Sequence, residues 1–213
     1  DVVDRFRDIG TRFDNSRKGQ VRELEPPGTR FEYNDVWVNL LALALLLVFR
    51  RSLPEVLSEQ VMQPIGASSN WEWHGYATSW IDIDGRSIQS VSGGGHWGGG
   101  LFIGAADHAR IGQLLLDDGC FEGRRILPEK WVEAMLSPSP GNPGYGFLWW
   151  LNSGDSPRYP SATRRSVFAL GGGAHLIWVE PDWQTVVVAR WINRSMIDDF
   201  IGRIARARRP LAS

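Results

Sequence analysis

Val167–Trp191 runs VFALGGGAHLIWVEPDWQTVVVARW, and the fold is decided here. Three short runs rich in aromatic and β-branched residues, Val167–Leu170, His175–Val179 and Thr185–Trp191, are separated by Gly171-Gly172-Gly173 and by Pro181-Asp182. Runs of this composition fit a pleated, packed surface, and glycine, proline and aspartate between them supply turns. The spacing predicts consecutive antiparallel strands. Tyr145–Leu151 (YGFLWWL) adds a further aromatic run ahead of them, and Met196–Ala207 predicts a closing helix. Its arginine-rich end (Arg203, Arg206, Arg208, Arg209) suits the negative pole of a helix dipole.

The pattern differs before residue 140. Asn34-Asp35 can cap a helix, and the apolar run Val38–Phe49 follows, interrupted only by Asn39. A membrane span needs about 20 apolar residues. This run is shorter and meets Arg50-Arg51, so the sequence predicts a helix buried in a domain core and no transmembrane segment. Further helices are predicted over Leu53–Met62, Ala105–Asp118 and Pro128–Leu136. Ile81, Ile83 and Ile88 around Asp84-Gly85 predict a small hairpin. Helices and loops, then strands, then a helix give an α+β arrangement, an antiparallel sheet covered by helices. The expected organisation is one incomplete domain: a polar surface segment over 1–25, a helical lobe over 26–130, and helix, strands and final helix over 131–213.

Composition narrows the function. The 213 residues are 43% apolar and 22% charged with net charge −1, so no basic footprint for nucleic acid is present. The single cysteine, Cys120, excludes an internal disulfide. His74, His96, His108 and His175 show no metal-ligand spacing, and Ser92–Gly100 (SGGGHWGGG) lacks the Gly-Lys-Ser/Thr ending of a phosphate loop. No cofactor is expected.

Three stretches, in order, resemble the β-lactamase-related, penicillin-recognising serine hydrolases. Pro27–Asp35 (PGTRFEYND), an apolar helix and Met62–Ala67 (MQPIGA) are similar to that family's P-G-T-x-F-x-Y-S-N segment and its sequel. Gly98–Ile103 with Asp107 and Ala109–Gly112 is similar to its G-G-L-x-S-T-A-x-D-x-A-R-F-G segment. Phe168–Pro181 resembles its closing glycine-rich hairpin. The resemblance implies a bacterial acyl-transfer enzyme of β-lactamase-like or esterase type, with an antiparallel sheet, helical flanks and a cleft between lobes. A small-molecule ester or amide is the implied substrate. The compartment, periplasm or cytoplasm, stays open.

The same resemblance makes Tyr33 the proton-transferring tyrosine. Asn34 and Asp35 become substrate contacts, although Asp35 stands where the family has asparagine and can equally be a helix cap. An ionised aspartate only accepts, so a substrate amide would find its donor at Asn34. His96 and Trp97, within the glycine-dense loop, either face the cleft or pin the loop, and of the eleven tryptophans Trp97 is the candidate for an apolar substrate wall. Gly171 and Gly172 let substrate lie against bare backbone. His175 either lines the pocket or is a structural hydrogen-bonder. No Lys-Thr-Gly cation is present at Ala169-Leu170-Gly171, so no carboxylate recognition is expected there. The family's Ser-x-x-Lys nucleophile pair occurs nowhere in the 213 residues. Three accounts stand: a chain cut from a longer enzyme, a short non-catalytic relative that binds a ligand or partner, or a plain structural or interaction domain with Tyr33 idle.

Overall fold

The computed structural model describes residues 26, 28–31, 33, 35–93 and 99–208, with the backbone alone at 35 and 36. Packing groups them into two compact units, the first running to Gly104 and the second starting at Ala105.

The first unit opens with α1 (Asp35–Phe49). Its leucines and alanines are strong helix formers, and it stops where Arg50 turns left-handed at φ 52°. α2 (Leu53–Leu57) starts on Pro54 and continues into a wider turn over Ser58–Met62, closed by Gln63 N–H on Ser58 O at 2.9 Å. Three-residue β1 (Glu72–His74) pairs antiparallel with β4 (Gly100–Phe102). Between them lies the expected hairpin of β2 (Trp80–Ile83) and β3 (Arg86–Gln89). Its turn residues Asp84 and Gly85 both have positive φ, 52° and 72°, as a two-residue loop of the primed type requires. Ala42, Leu46, Leu53, Ile83 and Val91 form the core of this unit, with Trp73, Ile81 and Ile88 against it.

One expectation fails here. α1 was predicted to be buried in a core, yet among its described side chains only Asn39, Ala42 and Leu46 are buried. Trp37, Leu40, Leu41, Leu45, Leu47, Val48 and Phe49 are exposed, Val48 at 75%. The residues packed on α1 within this unit reach one side of the helix only, and apolarity does not count sides.

The second unit contains α3 (Ala105–Leu116), the short hairpin β5 (Cys120–Phe121) and β6 (Arg124–Arg125), and α4 (Glu129–Met135). β7 (Trp150–Leu151), β8 (Val167–Gly171), β9 (His175–Glu180) and β10 (Thr185–Ala189) follow, then α5 (Ile197–Ala207). The four strands form one antiparallel sheet in the order β10-β9-β8-β7. Side chains alternate across it, as the two-residue period of a strand demands. Val167, Ile177 and Val179 pack with Leu115, Val132 and Trp149 on the face that receives α3 and α4. Phe168, Leu176 and Trp178 pack with Ile197 and Ile201 of α5 on the other. The helix-covered antiparallel sheet expected from the sequence is thus present, with each fully buried Phe168 or Trp178 contributing about 1.5–3 kcal/mol. Gly112 lets α3 approach β10, since a Cβ there would lie 2.5 Å from Val186 Cγ1.

Candidate functional site

In the first unit, Tyr33 lies just ahead of α1 and is 40% exposed. Asn34 and the side chain of Asp35 fall outside the described residues, as do His96 and Trp97. Hydrogen bonds hold the stem that leads into the glycine-rich loop. Trp73 Nε1 donates to Ser92 O at 2.8 Å, and Ser92 N–H to His74 O at 3.2 Å. Gly93 N–H donates to Asn39 Oδ1 at 2.8 Å, while Asn39 Nδ2 donates to Tyr76 Oη at 3.1 Å. A Cβ at Gly99 would lie 2.3 Å from Ser92 Oγ, so the two ends of the loop meet. The polar residue that interrupts the apolar run Val38–Phe49 therefore bonds to the loop stem. The interruption at Asn39 was visible in the sequence; its partner was not.

In the second unit, Gly171, Gly172 and His175 come together at the end of the sheet. Gly171 pairs with His175 across a tight turn in which Gly173 (φ 73°) and Ala174 (φ 54°) are both left-handed. β7 pairs with β8 only at Val167 and Phe168. Ala169–Gly171 run past it, and their outer edge pairs with no strand among the described residues. An extended group laid there would meet backbone N–H and C=O groups.

Three residues that the sequence reading passed over surround this turn. Trp191, itself left-handed at φ 57° and 78% exposed, sets its ring edge to face on His175, centroids 4.6 Å apart. Gly173 makes that possible: a Cβ there would lie 2.7 Å from the Trp191 ring. Arg190 Nη2 donates to His108 Nδ1, on α3, at 3.0 Å. A guanidinium only donates, so Nδ1 is the acceptor and the His108 proton sits on Nε2. Burial, then the positive charges of Arg190 and His175, push the His108 pKa down to about 4, with Asp107 opposing. Burial and Arg190 lower that of His175 as well. Both imidazoles are neutral at pH 7. Strand pairing gave a signal for this cluster, because Ala189 opposite Leu176 puts Arg190 beside His175.

Among the described residues no group of three or more His, Cys, Asp or Glu side chains could hold a metal ion, and no helix is long and apolar enough to cross a membrane.

Helices on both faces of an antiparallel sheet, with a glycine turn closing its third strand, define the β-lactamase/transpeptidase-like class of fold. A family model described as Beta-lactamase matches residues 16–206, and the chain belongs to that family. The 6-aminohexanoate-dimer hydrolase of Paenarthrobacter ureafaciens is 25% identical over 120 residues, 50% of this chain and 29% of that protein. A solved structure described as a 6-aminohexanoate-dimer hydrolase from Bacillus anthracis superposes with TM-score 0.60 at 25% identity, covering 87% of this chain and 45% of that one. One described as a β-lactamase from Bacteroides dorei superposes with TM-score 0.59 at 15% identity, covering 88% and 61%. The chain thus spans less than two thirds of the length of each. Its relatives are hydrolases.

Proposed function

We propose that this chain is the part of a serine hydrolase that carries the proton-transfer tyrosine and the strand against which a short ester or amide lies. The nucleophilic serine and its lysine would come from outside these 213 residues. The observation that carries the reading is the outer edge of β8 at Ala169–Gly171, which pairs with no strand among the described residues, in a member of this family. A serine Oγ attacks the carbonyl carbon and its proton passes to the lysine–tyrosine pair. The carbonyl oxygen takes the negative charge and is met by backbone N–H. The tetrahedral carbon then expels the alcohol or amine, which leaves with that proton. Water repeats the sequence on the acyl-enzyme. A phenol with an ordinary pKa of about 10 is a poor base alone, but an adjacent lysine ammonium favours the phenolate. In this reading Tyr33 is that phenol, Asn34 and Asp35 contact the substrate, and Trp97 with His96 walls the cleft.

The absence of Ser-x-x-Lys favours one second reading, a ligand-binding relative without turnover. A serine-directed fluorophosphonate separates the two. The 213-residue chain should not label. The same chain joined to its upstream reading frame should label at one serine of a Ser-x-x-Lys, and Tyr33→Phe in that protein should lower kcat for p-nitrophenyl butyrate at least about tenfold. An upstream frame without Ser-x-x-Lys, or clean labelling of the 213-residue chain at one serine, would overturn the assignment.

A further inference from the structure

A hollow of about 380 Å³ in the first unit is lined from the start of α2, from strand β3 and by two tryptophans. Trp73, Trp80, Ile88 and Val91 give it apolar surface. Trp73 is fixed there: its Nε1–H donates to Ser92 O at 2.8 Å, which leaves the carbon surface of the ring to a ligand. The β2–β3 hairpin is fixed as well. Ile83 is buried in the core of the unit, and Arg50 holds both carboxylate oxygens of Asp84 at the turn. The hollow is therefore preformed, as small-molecule sites usually are. Trp80, 54% exposed on this fixed hairpin, keeps much of a large apolar ring in water that a ligand would displace.

Two guanidiniums line the hollow, and they differ in what they have left to give. Arg51 donates through Nη1 and Nη2 to the two oxygens of Glu59 at 3.0 and 2.6 Å, and its Nε lies 3.9 Å from Glu55. Arg86 makes one long hydrogen bond, from Nη2 to Arg50 O at 3.4 Å. Asp84 is the carboxylate that feels the charge of Arg86, and both its oxygens are already bonded to Arg50. A guanidinium carries five N–H donors in a planar fork, so Arg86 keeps a pair of donors that match the two oxygens of a carboxylate. Glu55 also lines the hollow, and its negative charge disfavours a doubly charged head group such as a phosphate monoester.

We propose that this hollow binds a small carboxylate with a flat apolar body, an arylalkanoate, its head group on Arg86 and its ring against Trp80 and Trp73. The site lies within the first unit and its occupancy needs no turnover, so the proposal stands or falls independently of the hydrolase reading.

The test uses the uniformly 15N-labelled 213-residue chain at pH 7, with 3-phenylpropionate and its neutral isostere 3-phenylpropanamide as probes. The readouts are the Nε1–H signal of Trp80 and the Nε–H signal of Arg86, each identified by its loss in Trp80→Ala or Arg86→Gln. Phenylpropionate should shift both signals saturably, and the amide should bind at least about tenfold more weakly. Arg86→Gln should weaken phenylpropionate at least about tenfold, and Trp80→Ala at least about fivefold. Should either variant lose its folded circular dichroism, the two probes on the unmodified chain decide alone. Equal binding of acid and amide, shifts that never saturate, or saturable binding that both folded variants leave unchanged would each overturn the site.

Discussion

Asn39 and Gly93, 54 residues apart, share a 2.8 Å hydrogen bond at a point where no side chain fits on the glycine. A Cβ at Gly93 would lie 2.2 Å from Val38 Cγ1, so helix α1 and the loop stem touch backbone to side chain. The amide of Asn39 accepts from Gly93 and donates to Tyr76, and Asn39 is 2% exposed. Asn39→Leu keeps the volume and removes both functions. It should cost about 1–3 kcal/mol, because two part-buried hydrogen bonds, from Gly93 N–H and to Tyr76 Oη, are lost together. Urea unfolding gives the number; an unchanged midpoint would mean that the stem is held by Trp73 and Ser92 alone.

Glu180 is fully buried and accepts from Thr163 N–H and Oγ1–H, Ser166 Oγ–H and Asp182 N–H. Truncation to alanine strands four donors. Glu180→Ala should lose at least about 3 kcal/mol, and Glu180→Gln, which keeps one carbonyl oxygen, less. Equal losses in the two variants would show that packing around the side chain matters more than its oxygens.

The His108 pKa sets a pH dependence of definite sign. Its native value of about 4 lies below the ordinary 6.5, so the unfolded chain takes up the proton first. The stability contributed by the neutral ring is complete above about pH 6.5 and is lost as the pH falls from there through 4. The full loss is at most about 3 kcal/mol. Between pH 6.5 and 5, above the range where carboxylates titrate, denaturation midpoints should fall for the native sequence and fall less for His108→Gln, in which the lowered His175 pKa still contributes. A midpoint that falls equally in both would place the titrating group elsewhere.

The exposed side of α1 predicts contrasting substitutions. Leu41→Glu and Val48→Lys, both on exposed residues, should leave the thermal midpoint nearly unchanged, within about 0.5 kcal/mol, and reduce self-association in light scattering. Leu46→Ala, at a fully buried position, should cost about 2–5 kcal/mol. A loss at Leu41 as large as at Leu46 would show that the apolar face is covered in solution.

The sheet of the second unit was legible because β8, β9 and β10 are each short continuous runs rich in aromatic and β-branched residues, with strong turn residues between. The Asp84-Gly85 turn was legible for the same reason. β1 and β4 were not: three residues each, paired across the whole stretch from Glu72 to Phe102, they show no period of their own. Of the candidate site residues, the sequence pointed to Gly171, Gly172 and His175, which share one turn. Arg190 and His108 come beside that turn through the seating of α3 on β10, which depends on Gly112 and on tertiary packing that no local pattern encodes.

The connection from Asn152 to Ser166 contains neither helix nor strand, yet buried side chains bind it at both ends. Asn152, with no exposed surface, accepts from Tyr159 N–H and donates to the carbonyls of Tyr159 and Thr163, and Glu180 takes the N–H of Thr163. In hydrogen-exchange terms this stretch should therefore behave as part of the sheet. The amides of Tyr159 and Thr163 should open only in the cooperative unit that includes β8 and β9, on the timescale of global unfolding. A segment drawn as a loop would then be among the slowest parts of the molecule to breathe.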